Sequence, residues 1–143
     1  MATTPYARGY KFESRVRAHF VANGYFALRS SQSRTPVDIA VMGATRCFLV
    51  QCKADGRCGP REWNALFDLA DSVNAMPLIA LRKGRKLEFW QMLERKKTER
   101  HVNGKLTRNA QPWVQIHVYP NRSPLINRTS DEAPAGRPFE VVS

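Results

Sequence analysis

Two β-rich runs, PVDIAVM at residues 36–42 and RCFLVQCK at residues 46–53, are separated only by Gly43-Ala44-Thr45. No other feature limits the fold as sharply. A linker this short joins strands only as an antiparallel hairpin, because a parallel return needs a crossover of a dozen or more residues. Side chains alternate along a strand, so Phe48, Val50 and Cys52 take one face, and Cys47, Leu49, Gln51 and Lys53 the other. If the hairpin closes with a two-residue loop at Ala44-Thr45, residues 43 and 46 pair, and counting outward sets Asp38 opposite Gln51. A carboxylate, an amide and an ammonium then converge. A slip of one residue would send Asp38 to the opposite face.

The flanking sequence supplies cover for this hairpin. Over residues 6–23 the side chains Phe12, Val16, His19 and Phe20 fall on one helical stripe, which Asn23-Gly24 terminates. Residues 25–29 read as a short strand, and SSQSRTP after them as a loop. Pro60 opens a second helix, with Trp63, Leu66, Phe67, Ala70 and Val73 at helical spacing. Residues 76–81 and 86–91 read as two strands about a turn at Gly84, and residues 113–119 alternate as a further strand. The core order is α-β-β-β-α-β-β, an α/β mixed sheet flanked by helices.

Charge narrows the partners. The 143 residues carry 23 Lys and Arg against 12 Asp and Glu, a formal net charge of +11. Such a balance suits a polyanion, and nucleic acid leads. Ten Lys or Arg against three Glu fall between residues 82 and 108, more than solubility requires, so this stretch is read as contacting a DNA backbone. No apolar run is long enough to cross a bilayer, so no membrane partner is expected. No secretory signal is evident in MATTPYARGYKFESR, and a cytoplasmic location is expected, including that of a phage-encoded protein in its host. Cys47, Cys52 and Cys58 lack paired metal-site spacing and are read as incidental thiols. The sequons at Asn121 and Asn127 are read as chance.

Glu13 borders the apolar stripe of the first helix, where a carboxylate is costly unless it is paired or bound to a metal. It either bridges to Arg17 four residues on or joins Asp38, if the stripe packs on the sheet face that carries Asp38. Asp38 taken alone could cap a turn after Pro36, and Lys53 could be an exposed strand end. Taken together, carboxylate oxygens near a phosphodiester suit Mg²⁺, whose retained waters include one able to attack phosphorus. A neighbouring Lys would orient that water or stabilise the developing negative charge.

Asp38, twelve residues, then Gln51-x-Lys53, with an acid on the preceding helix, resembles the motif of the PD-(D/E)xK nuclease superfamily. The segments FESRVRAHFVANGY, RSSQS, PVDIAV, FLVQCK and MPLIAL, within about residues 8 to 81, look most like archaeal and phage-type Holliday junction resolvases. The resemblance covers a little over half the chain. It implies a restriction-endonuclease-like fold and a metal-dependent endonuclease that cleaves branched DNA, acting as a homodimer on four-way junctions. It assigns catalytic roles to Glu13, Asp38, Gln51 and Lys53, with Glu13, Asp38 and Gln51 holding Mg²⁺, or Mn²⁺ as a substitute. It adds a loop serine, Ser30 or Ser33, with Ser33 preferred. Arg8, Lys11, Arg29, Arg34, Arg82, Lys83 and Arg85 are the expected DNA contacts. Residues 1–119 would form the nuclease domain, with a basic insertion at about 82–108, and residues 120–143 a weakly ordered tail. Gln51 departs from the usual Glu; its amide oxygen can still coordinate Mg²⁺ but adds no charge. Two other readings stay open: a nuclease for other DNA or RNA structures, and a non-catalytic nucleic-acid-binding protein with the same fold.

Overall fold

A computed structural model of the chain describes residues 4–31, 34–97, 100–102, 105–107 and 111–122. Helix α1 spans Pro5–Ala22. Thr4 starts it by accepting the Ala7 N–H on its hydroxyl at 3.1 Å, and Pro5 sits at a first-turn position where a missing N–H costs nothing. Strands β1 (Phe26–Arg29), β2 (Ile39–Met42) and β3 (Cys47–Cys52) follow, then helix α2 (Pro60–Ser72). After it come β4 (Met76–Lys83), β5 (Lys86–Met92), β6 (Arg100–Val102), β7 (Lys105–Thr107) and β8 (Trp113–Ile116).

The main sheet has the order β1-β2-β3-β4-β5-β8, while β6 and β7 pair only with each other. Every neighbouring pair in the main sheet is antiparallel except β3 with β4. That parallel step requires a crossover, and α2 supplies it. The sheet is therefore mixed, with one helix on each face, and the expected α-β-β-β-α-β-β order holds. The basic stretch is divided: residues 82–92 complete the β4–β5 hairpin of the main sheet, and β6 and β7 form a separate ribbon.

Two apolar layers sandwich the sheet. Val16 and Phe20 of α1 pack on Ala27, Ile39, Val41, Phe48, Val50, Leu78, Ala80 and Phe89. Trp63 and Leu66 of α2 pack with Val37, Cys58, Ile79 and Met92, and Ala40 and Leu49 border that cluster. Leu78, Ile79 and Ala80 are fully buried in succession because β4 is covered on both faces. His19 stacks against Phe20 and Phe89, a rim position that burial explains without chemistry. The Trp63–Leu66–Ala70 stripe is core, while Val73 at the helix end is exposed.

One packing expectation is overturned. The α1 stripe does not lie on the face shared by Leu49, Gln51 and Lys53; it lies on the Phe48–Val50 face. That face is continuously apolar across β2 and β3, whereas the other carries Gln51 and Lys53, so burial of the fully apolar side under α1 is favoured. β1 forms a sheet edge that α2 does not cover. Phe26, Leu28 and Met42 are exposed there, and Leu28 lines a hollow with Leu69 of α2.

The hairpin register agrees with the sequence count. Ile39 pairs with Val50 and Met42 with Cys47, and the Gly43 N–H donates to Arg46 O at 2.8 Å. Asn121 braces the same turn: its Oδ1 accepts the Ala44 N–H at 2.8 Å, and its N–H donates to Asn23 O at 2.7 Å. Of the expected tail, residues 120–122 are thus described, and residues 123–143 lie outside the described residues. A Cβ on Gly43 would stand 2.6 Å from the Tyr25 ring and 2.9 Å from the Arg46 carbonyl oxygen. The carbonyl belongs to the turn itself and has little room to retreat. Gly43→Ala is expected to lower unfolding free energy by about 1–3 kcal/mol in a urea titration; an unchanged midpoint would show that the turn relaxes freely.

Candidate functional site

The β2–β3 ladder changes character at Asp38. Its N–H donates to Val50 O at 2.9 Å, and its Oδ2 accepts the Cys52 N–H at 2.8 Å. Along β3 the backbone N–H groups alternate in direction. Lys53 donates to Ala80 O of β4, so the Cys52 N–H faces the side on which β2 has ended. The Asp38 carboxylate completes the ladder and is held against the backbone between Gln51 and Lys53. Burial raises its pKa, the bond from Cys52 offsets part of that, Glu13 and Glu62 raise it further, and Lys53 lowers it.

Gln51 is 9% exposed, the one buried polar side chain among the described residues, and its Oε1 has no hydrogen-bond partner. An unmatched buried oxygen costs about 1–3 kcal/mol, and a cation would offset that. Lys53, two residues on and on the same face, pairs with Glu62 of α2 at 2.6 Å. Burial lowers the Lys53 pKa, but the Glu62 carboxylate outweighs it and the net shift is upward, so the ammonium stays charged.

Glu13 approaches from the α1 side. It accepts from Arg29 Nε at 2.7 Å, and the Arg29 guanidinium lies 4.3 Å over the Tyr10 ring. The alternative bridge to Arg17 does not form, because Arg17 donates to Ala27 O at 2.9 Å. Among the described residues no group of three or more His, Cys, Asp or Glu is placed to hold a metal. The oxygens that could hold a divalent cation here are those of Asp38 and the orphaned amide of Gln51, with Glu13 close enough to be felt at Asp38.

Ser30 donates its N–H to Asp38 O at 2.8 Å, tying the loop to the start of β2, and Ser33 lies outside the described residues. Arg8, Lys11, Arg15, Lys53 and Arg82 line a cleft of about 740 Å³ that also contains Glu13. Five cations and the acids Glu13 and Asp55 thus line an opening that reaches Lys53. Arg29 is committed to Glu13, Arg34 is exposed in the β1–β2 connection, and Lys83 and Arg85 are exposed at the β4–β5 turn. Two members of this arrangement escaped sequence reasoning. Arg15 resembles any other exposed helix residue, and Glu62 is merely an acid in a first helical turn, a placement the helix dipole favours anyway. Burial pushes the Cys52 thiol well up and the Cys58 thiol up to about 11.

Solved structures share this architecture. The chain has the fold of Archaeoglobus fulgidus Hjc. That structure, described as a Holliday junction resolvase from an archaeal hyperthermophile, aligns with a TM-score of 0.54 at 20% identity, over 64% of this chain and 80% of its own. The likeness to Hjc is one of fold. No protein-family profile matches the chain, and no curated protein matches it. No helix among the described residues is long and apolar enough to cross a membrane.

Because the Asp38 pKa is raised in the folded state, its ionisation opposes folding. The stabilisation from the protonated form is complete below the unfolded-state pKa and is lost as pH rises through the folded-state value. Asp38→Asn in metal-free buffer is therefore expected to melt a few degrees higher than the wild type at pH 7, with the gap closing under acid conditions. A variant that melts lower at pH 7 would mean that the bond from Cys52 outweighs burial.

Proposed function

We propose that this chain is a metal-dependent endonuclease of the PD-(D/E)xK type that cleaves branched DNA, acting as a Holliday junction resolvase. The observation that carries the reading is the buried, unpartnered Gln51 Oε1 beside the Asp38 carboxylate, with Lys53 on the same strand face and a cation-lined cleft that reaches Lys53 and Glu13. Mg²⁺, or Mn²⁺ in its place, would be held by Asp38 and Gln51, with Glu13 adding negative field. Bound there it would polarise the phosphodiester and lower the pKa of an attacking water. Lys53 places a permanent positive charge where negative charge develops on phosphorus. Arg8, Lys11 and Arg82 hold the DNA backbone along the cleft; such contacts orient a duplex without reading its sequence.

A junction presents two strands related by a two-fold axis, so a homodimer would offer two sites at once. The exposed Phe26, Leu28 and Met42 at the uncovered sheet edge support that assembly. Leu28→Glu is expected to shift the molar mass measured by light scattering from dimer to monomer; a wild type that is itself monomeric at micromolar concentration overturns the dimer.

The amide at position 51 favours one rival, a nucleic-acid-binding protein with this fold and no turnover. Four-way junctions and matched duplexes incubated with Mg²⁺ or Mn²⁺ separate the two. Junction cleavage that falls at least about 100-fold in Asp38→Ala and Lys53→Ala supports the nuclease. Tight, metal-independent binding without product supports the rival. Arg8→Ala, Lys11→Ala and Arg82→Ala are each expected to reduce the slope of log affinity against log salt by about 1. A slope that none of them changes would place the DNA elsewhere.

A further inference from the structure

One carboxylate, Asp38, is bonded to the backbone of the strand that carries Gln51, and the amide oxygen of Gln51 would add no charge to a divalent cation's site. A second carboxylate lies outside the strand motif. Glu62 stands in the first turn of α2, on the helix that covers the face shared by Leu49, Gln51 and Lys53. Its Oε2 is 2.6 Å from Lys53 Nζ, and its charge is felt at Cys58 and, less than that of Glu13, at Asp38. The Glu62 side chain is 54% exposed, and an ion pair that open to water contributes little to stability, typically under about 1 kcal/mol. Folding energy alone therefore gives little reason for this acid to reach towards Lys53. The buried Gln51 Oε1 without a donor is an independent sign that a cation belongs beside it.

We propose that Glu62 supplies the missing carboxylate, so that Asp38, Gln51 Oε1 and Glu62 together hold the divalent cation, and Lys53 is freed from Glu62 to face the phosphate. The assignment rests on the nuclease reading above and relocates one ligand from β3 to α2. Two carboxylates balance the charge of the cation, the amide supplies a neutral oxygen, and the ammonium keeps one positive charge for the DNA. Departure of Glu62 from Lys53 also links metal uptake to exposure of that ammonium. Glu13, engaged by Arg29, stays outside the cation's immediate ligands.

Binding of Mn²⁺ to the purified chain without DNA, followed by calorimetry and by loss of the free-ion electron paramagnetic resonance signal, tests this. Glu62→Gln is expected to weaken Mn²⁺ binding at least about tenfold. Gln51→Glu added to Glu62→Gln should restore it by returning a carboxylate to the strand. Lys53→Met, which removes the ion pair but keeps the carboxylate, should bind as tightly as the wild type or more tightly. Unchanged affinity in Glu62→Gln overturns the proposal. So does weakening that Lys53→Met reproduces and Gln51→Glu fails to rescue, since Glu62 would then act only by holding Lys53. Binding lost in Asp38→Asn but untouched in Glu62→Gln removes Glu62 and leaves the nuclease reading intact. A wild type that takes up no Mn²⁺ and cuts no junction overturns both.

Discussion

The bond from the Cys52 N–H to Asp38 Oδ2 is the interaction on which the rest of the site depends. A backbone donor at the end of a ladder must find a partner, and with β2 ended the nearest acceptor is a side chain. Using a carboxylate for that task fixes its position against the backbone between an amide and an ammonium. The Ser30 N–H, bonded to Asp38 O, secures the same residue from the other side. The charge that chemistry would use is thus held by structural hydrogen bonds and needs no further ordering when a ligand arrives.

That economy carries a stability cost. A carboxylate pushed towards its neutral form by burial, next to an amide oxygen with no donor, violates the rule that buried polar groups are satisfied. Violations of this kind concentrate where a protein binds something. The surrounding layers can absorb the cost: α1 and α2 each seal one face of the sheet, and β4 is buried through three successive residues. The unsatisfied amide oxygen lies near the end of β3, two residues before Lys53, which lines the cation-rich cleft.

Charge is distributed in two tiers. Near the site every cation is committed or nearly so: Arg29 to Glu13, Lys53 to Glu62, Arg17 to a β1 carbonyl. Farther out, Arg8, Lys11 and Arg82 are exposed along the cleft. The inner tier orients acids; the outer tier provides the long-range attraction that a net charge of +11 implies. Glu62 belongs to the inner tier although it is remote in sequence from the Asp38 and Gln51-x-Lys53 pattern. A motif defined along one strand could not include it.

Much of the fold was legible because its determinants are local. Hairpin closure at Gly43, the period-two alternation of β3, the stripes of α1 and α2, and the turn at Gly84 each depend on neighbours a few residues apart, and each was read correctly. The convergence of Asp38 and Lys53 followed from the same local rules. Which helix covers which face did not, because that choice depends on apolar area summed over several strands and on the path of the crossover through α2. The partner of Glu13 was equally hidden: Arg17 is its neighbour along the helix, but Arg29 is brought to it by β1. The sequence alone determined the hairpin and the strand face that Gln51 and Lys53 share, and the structure fixed the register that sets Asp38 against them. Only the tertiary structure decided which acids, Glu13 from one side and Glu62 from the other, stand around it, because side chains from separate elements meet only once the layers have packed.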